Sequence, residues 1–161
     1  MTTVTSTPGA AIPPQPGDTI TVLCDNTEGV TVLAAVTVEK INPLGCGCWR
    51  ISATRPGLAT NSHVDMLTGC PWHCETTDTY LRLLRAAAAG TLIRPAHRWE
   101  PIHLDGVEGD VADAVHTLRD VNLLDVTPWF TEGQPIRITF AGEAILAQAD
   151  TMAAPLEGAC W

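Results

Sequence analysis

VADAVHTLRDVNLLDV, residues 111–126, decides how this chain is read. Val111, Ala114, Val115 and Leu118 recur at the three-and-four spacing of one helical face, which predicts a helix from Asp110 to Asn122 with the asparagine as its stop. Beyond the stop, LLDVTPWF (123–130), a TEGQ turn (131–134) and PIRITF (135–140) read as a β-hairpin, with Ile136, Ile138 and Phe140 alternating on one side. GEAILAQAD (142–150) then predicts a last short helix.

Upstream, Tyr80, Leu81, Leu84, Ala87 and Ala88 fall at helical spacing. Thr76 or Thr77 is placed to cap the start of that helix, and Gly90 to close its end. TLIR (91–94) and RWEPIHL (98–104) read as two short strands, which Pro95 and Pro101 confine to an edge, and DGVEGD turns the chain into the helix at 110. Before residue 75 the texture is β throughout. DTITVLC, VTVLAAVTVEKI, WRISATR and SHVDML are β-branched runs separated by Gly, Pro and Asn turns, which predict a four-stranded antiparallel meander curling into a small SH3-like barrel.

The fold class is therefore α+β. The expected organisation is a disordered tail over 1–17, an antiparallel β domain with a Cys-rich hairpin over 18–74, a helical domain over 75–151 and a tail over 152–161. The leader MTTVTSTPGAAIPPQPG carries four prolines and no apolar period, so it cannot offset the entropy of ordering.

LRLLRAAAAGTLI, VADAVHTLRDVNLLDV and PIRITFAGEAILAQ, taken together, resemble a compact winged helix-turn-helix domain of the kind found in small bacterial and phage regulatory proteins. The phrase Leu118 to Val126 and the closing turn Thr139, Phe140, Ala141, Gly142 carry the resemblance, which covers about half the chain. It implies a regulatory role, with the helix from Asp110 in the recognition position. The chain departs from the pattern between Gly90 and Asp110, where a second helix belongs and an edge hairpin is read instead.

A winged helix that reads DNA needs Arg, Lys, Asn or Gln on its recognition helix and basic residues on its wing. The candidate DNA- or partner-binding residues are His116, Thr117 and Arg119 on the helix and Gln134 and Arg137 on the wing, with Arg82, Arg85, Arg94 and Arg98 near the first helix. Charge weighs against DNA. The chain has 9 Lys+Arg against 18 Asp+Glu, a formal charge of -9, and from Glu75 onward 13 acidic residues face 6 basic ones. A basic nucleic-acid coat is excluded.

Six cysteines need an explanation. GCGCWR supplies Cys46 and Cys48; GCPWHC supplies Cys70, His73 and Cys74. If the two strands that follow and precede these clusters pair about Leu58, Cys48 faces position 69 and Cys46 position 71. Both clusters then meet at one end of one hairpin. That arrangement predicts a structural zinc site of Cys46, Cys48, Cys70 and Cys74, with His73 as an alternative ligand. Buried inert thiols and disulfide or redox chemistry are the competing readings, and for Cys24 and Cys160 the inert one is preferred.

No catalytic set is legible. His63 and Asp65 share a strand face without a nucleophile, and no phosphate-cradling Gly loop, HExxH or GxSxG string occurs. His97, Trp99 and His103 suggest a recognition surface, although tryptophans such as Trp72, Trp99 and Trp129 more often belong to a core. No secretory signal and no run of about 18 apolar residues is present, so a cytoplasmic, non-membrane protein is expected. The function expected is that of a small non-enzymatic regulatory or adaptor protein that binds specific DNA or a protein. The alternative is an acidic interaction protein that antagonises a basic nucleic-acid-binding target. A homodimer is left open.

Overall fold

β-Branched residues in alternation build the first half. In the computed structural model, which describes residues 15–25, 28–43, 49–54, 63–68, 76–95, 97, 99–107, 109–126 and 133–152, they form β1 (Thr19–Asp25), β2 (Thr31–Pro43), β3 (Trp49–Thr54) and β4 (His63–Thr68). The strands pair antiparallel in the order β1-β2-β3-β4. β2 is shared. Its first half, Thr31 to Thr37, pairs with β1, and its second, Thr37 to Pro43, pairs with β3 across a bulge between Val38 and Lys40. A bulge at the changeover bends the strand and sharpens its twist, so the two halves of the sheet need not be coplanar. Among the described residues no β1–β4 pairing closes a barrel. The expected tails lie outside the described residues except for Gln15–Gly17 and Met152.

Both faces of the β1–β2 ribbon contribute buried residues. Ile20, Val22, Val36 and Val38 form one small cluster, while Leu23 and Leu33, paired across the strands, turn to the other face and pack with the helices. Two side chains fasten that junction. Thr77 Oγ1 accepts the Leu23 amide at 3.1 Å and Gln148 Oε1 accepts the Leu33 amide at 3.2 Å. Both amides point outward from a non-hydrogen-bonded strand pair, so the helices supply acceptors that no neighbouring strand does.

Three helices, α1 (Thr77–Ala88), α2 (Ala112–Asp120) and α3 (Phe140–Thr151), surround a small sheet of β5 (Leu124–Asp125) and β6 (Arg137–Ile138). α1 starts where Thr76 Oγ1 accepts the Thr79 amide. It ends in a Schellman turn: Gly90 takes φ +74°, its amide reaches Ala87 O at 3.1 Å, and the Thr91 amide reaches Ala86 O at 2.9 Å. α2 ends in the same way with an asparagine. Asn122 adopts φ 61°, its amide bonds Arg119 O at 2.9 Å, and the Leu123 amide bonds Leu118 O at 2.8 Å. Asn tolerates this left-handed region better than any other non-glycine residue, which is why the helix stops there.

The turn after α2 locks onto α3. Thr139 caps α3 by accepting the Gly142 amide at 3.1 Å, donates its hydroxyl to Asn122 O at 2.7 Å and its amide to Leu123 O at 3.1 Å. Gly142 sits so close to that turn that a Cβ there would lie 2.4 Å from Leu123 O and 2.7 Å from Ile138 Cγ1. Leu81, Leu83, Leu84, Leu92, Val111, Val115, Leu118, Leu123, Ile136 and Ile145 make the core between these elements.

The structure corrects three local expectations. Phe140 does not alternate inward with Ile136 and Ile138; Thr139 ends the strand, α3 begins at Phe140, and its ring is 92% exposed. RWEPIHL is not a strand among its described residues, and of TLIR only Ile93 makes a bridge, to Pro135. Trp99, expected nearer the core, is 76% exposed.

Candidate partner-binding surface

α2 is positioned at its start by Asp110, whose Oδ1 accepts the amides of Ala112 and Ile102, each at 2.9 Å. The Val111 amide bonds Ile102 O at 2.9 Å, so the loop before the helix is closed on itself. Negative charge at a helix N-terminus favours the helix and disfavours a phosphate there. Of the expected contact residues, His116 and Thr117 are half-buried on α2, and Arg119 is exposed. Arg119 is not an unengaged cation: its Nε and Nη2 reach Asp120 Oδ1 at 3.0 and 2.7 Å. Gln134 and Arg137 are exposed around β6. The backbone brings them beside segment 92–94, with the Arg94 amide on Gln134 O at 3.0 Å and the Ile136 amide on Leu92 O at 2.7 Å.

The remaining arginines divide. Arg82 pairs with Asp78 at 2.8 Å, and its Nη1 sits against Gly106, where an added Cβ would meet it at 3.1 Å. Arg85 is exposed. Arg94, expected to face a ligand, is a correction: only 4% of it is exposed, because it is in phase with buried Leu92. Arg98 lies outside the described residues.

Residues 92–104 carry a feature that neither a helix nor a ladder pattern announces. Leu92, Arg94 and Ile102 are buried, whereas Ile93, His97, Trp99, Pro101 and His103 are exposed and Pro95 is half-exposed. The exposed residues of this segment include no Asp, Glu, Lys or Arg among those described. Within it the Glu100 amide bonds His97 O at 3.0 Å, and the tight turn stacks the His97 and Trp99 rings with centroids 4.6 Å apart and planes 3° from parallel.

The expected zinc ligands Cys46, Cys48, Cys70 and Cys74, and His73, lie outside the described residues. The pairing that flanks them is described. Trp49 stands opposite Thr68 and Thr54 opposite His63, the register expected from the sequence. Among the described residues no three His, Cys, Asp or Glu side chains group as metal ligands. Cys24 lies half-buried in β1, its Sγ 3.8 Å from Val22 O. His63 and Asp65 stand two apart on β4. No described helix is long and apolar enough to cross a membrane.

Comparison with protein-family models, curated proteins and solved structures finds no match to the chain. The surface is therefore read from its own chemistry.

Proposed function

We propose that residues 76–152 form a winged-helix-like module that binds a protein partner, within a small regulatory or adaptor protein. The order of elements supports the fold reading. Segment 92–94 lies against 133–136, and β6 continues from there to pair with β5, so the strands lie in the order first, third, second, with α2 entering just before β5. A winged helix orders its strands in this way, which supports the reading of α2 as the helix in the recognition position.

The observation that favours protein over DNA is the disposition of the arginines. Of the five described in this part, Arg82 and Arg119 are in ion pairs with Asp78 and Asp120, and Arg94 is buried, which leaves Arg85 and Arg137 as exposed arginines outside any described ion pair. Duplex binding draws most of its strength from cations that neutralise several phosphates at once. Two scattered arginines on a chain of charge -9 do not supply that. Titration of a labelled duplex at low salt tests the reading: no binding is expected, and retardation of the duplex by micromolar protein overturns it.

For the β unit, the shared, bulged β2 and the buried residues on each face of the β1–β2 ribbon support a curled, SH3-like sheet. The β3–β4 register supports a structural zinc site of Cys46, Cys48, Cys70 and Cys74. Cys48 directly precedes Trp49 and Cys70 comes two residues after Thr68, so the clusters leave the same end of one strand pair. Four thiolates would close the coordination shell and leave no catalytic position. Elemental analysis of protein purified without chelator is expected to find one zinc per chain, lost when Cys48 and Cys70 are changed to Ser; metal-free wild-type protein refutes the site.

A further inference from the structure

We propose that α3 is a strut that couples the β1–β2 ribbon to the C-terminal turn of α2, so that the ribbon's grip on α3 controls how firmly that turn is held. The functional consequence rests on the reading of α2 as the helix in the recognition position; the coupling itself does not. α3 is fastened near its two ends to different parts of the chain. At its start Thr139 donates its hydroxyl to Asn122 O at 2.7 Å and its amide to Leu123 O at 3.1 Å, which ties α3 to the turn that stops α2. Toward its end Gln148 Oε1 accepts the Leu33 amide of β2 at 3.2 Å.

Neither attachment has slack. The backbone of Gly142 lies so close to Leu123 O that there is no room for a Cβ, and the start of α3 is therefore a fixed point. At the other attachment Leu33 is 8% exposed and belongs, with Ile145 of α3, to the core that also holds Leu118 and Leu123. From Gly142 to Gln148 the helix advances about 9 Å, a length over which hydrogen-bonded helical backbone stays straight. A shift of α3 at Gln148 is carried to Thr139 and loosens the two hydrogen bonds there. The ribbon is steadied by a second bond, in which Thr77 Oγ1 accepts the amide of Leu23, the cross-strand partner of Leu33, at 3.1 Å. One strand pair thus engages α1 and α3 together, and removal of either acceptor leaves a partly buried amide without its partner.

The far end of the sheet stands outside this route. β3 joins β2 only from Thr37 onward, and the other face of the ribbon carries a separate cluster, Ile20, Val22, Val36 and Val38, with Ile41 packed on it. A disturbance at Ile41 acts on the sheet, whereas one at Gln148 acts on the helices. Whatever tightens or loosens the ribbon at Leu33 is therefore felt at α2.

Native-state hydrogen exchange of the full-length chain, read at single amides by NMR, tests the coupling. Gln148→Ala removes the acceptor, and because alanine favours the helix any loosening comes from the lost contact. It is expected to speed exchange of the Leu33 amide and, by a similar factor of about five- to thirtyfold, of the Leu123 and Thr139 amides. Gln148→Glu keeps an oxygen acceptor and is expected to restore most of the protection. Ile41→Ala is expected to speed exchange in β3 and to leave Leu123 and Thr139 as in the wild type. Acceleration by Gln148→Ala that is confined to β2, no rescue by Gln148→Glu, or equal acceleration of Leu123 and Thr139 by Ile41→Ala overturns the coupling. Duplex binding overturns instead the protein-binding reading of the module and leaves the coupling untouched.

Discussion

Replacing Gly142 by alanine sets two physical effects against each other, with opposite signs. Gly142 lies in the first turn of α3 and its φ is not in the left-handed region, so helix propensity alone predicts that alanine stabilises the protein by up to about 1 kcal/mol. The packing predicts the reverse. The new methyl would stand 2.4 Å from the Leu123 carbonyl oxygen and 2.7 Å from Ile138 Cγ1. The first neighbour is backbone and belongs to the turn pinned by Asn122 at φ 61°, so it cannot swing aside as a side-chain end would. Relief requires α3 to back away from that turn by most of an ångström. The movement lengthens the Thr139 hydroxyl bond to Asn122 O, now 2.7 Å, and the Thr139 amide bond to Leu123 O, now 3.1 Å. Overpacking of this kind costs about 1–3 kcal/mol and each of the two weakened hydrogen bonds about 1 kcal/mol, so after the propensity gain the net loss is about 2–4 kcal/mol. For a chain of this size that lowers the melting temperature by roughly 4–16 °C. Thermal unfolding followed by circular dichroism measures it. A melting temperature equal to or above that of wild type would refute the close approach of α3 to the α2 turn.

Two further substitutions read the same architecture. Thr21 is completely buried in β1 and its Oγ1 has no hydrogen-bond partner among the described residues, so Thr21→Val, which keeps the β-branched shape, is expected to raise stability by about 1 kcal/mol in denaturant unfolding; a loss would mean that the hydroxyl is satisfied. At Asn122, held at φ 61°, glycine is expected to be neutral or slightly stabilising and alanine to cost about 1 kcal/mol, and equal midpoints for the two variants would contradict the left-handed cap.

Where local chemistry sets the structure, the sequence was readable. The stop at Asn122, the Thr139 to Gly142 cap and the Gly90 turn are each specified by one or two residues whose conformational preferences act within a few positions. The first four β strands fall within two residues of their expected limits for a similar reason, because each is bounded by turn residues. Segment 98–104 was misread because alternation specifies which residues face inward, not whether a second strand arrives to pair with them. Ile102 is inward as alternation requires, yet its amide is taken by the Asp110 carboxylate and its carbonyl by the Val111 amide. Arg94 was misplaced by its formal charge: parity with Leu92 turned it inward, and no local rule sets charge against phase. The exposure of Trp99 depends on the path of that whole loop, and so is not a local property.

Binding of a protein and not a duplex by the module is inferred from how few of its described arginines stand exposed outside the ion pairs. Anisotropy of a fluorescent random-sequence duplex titrated with the full chain at about 20 mM salt tests it most directly, because the phosphate contribution is largest there. No change in anisotropy is expected up to about 100 µM protein, well beyond the point at which DNA-binding domains engage non-specific sequence at low salt. Saturable binding at micromolar protein that weakens steeply as salt is added would contradict it.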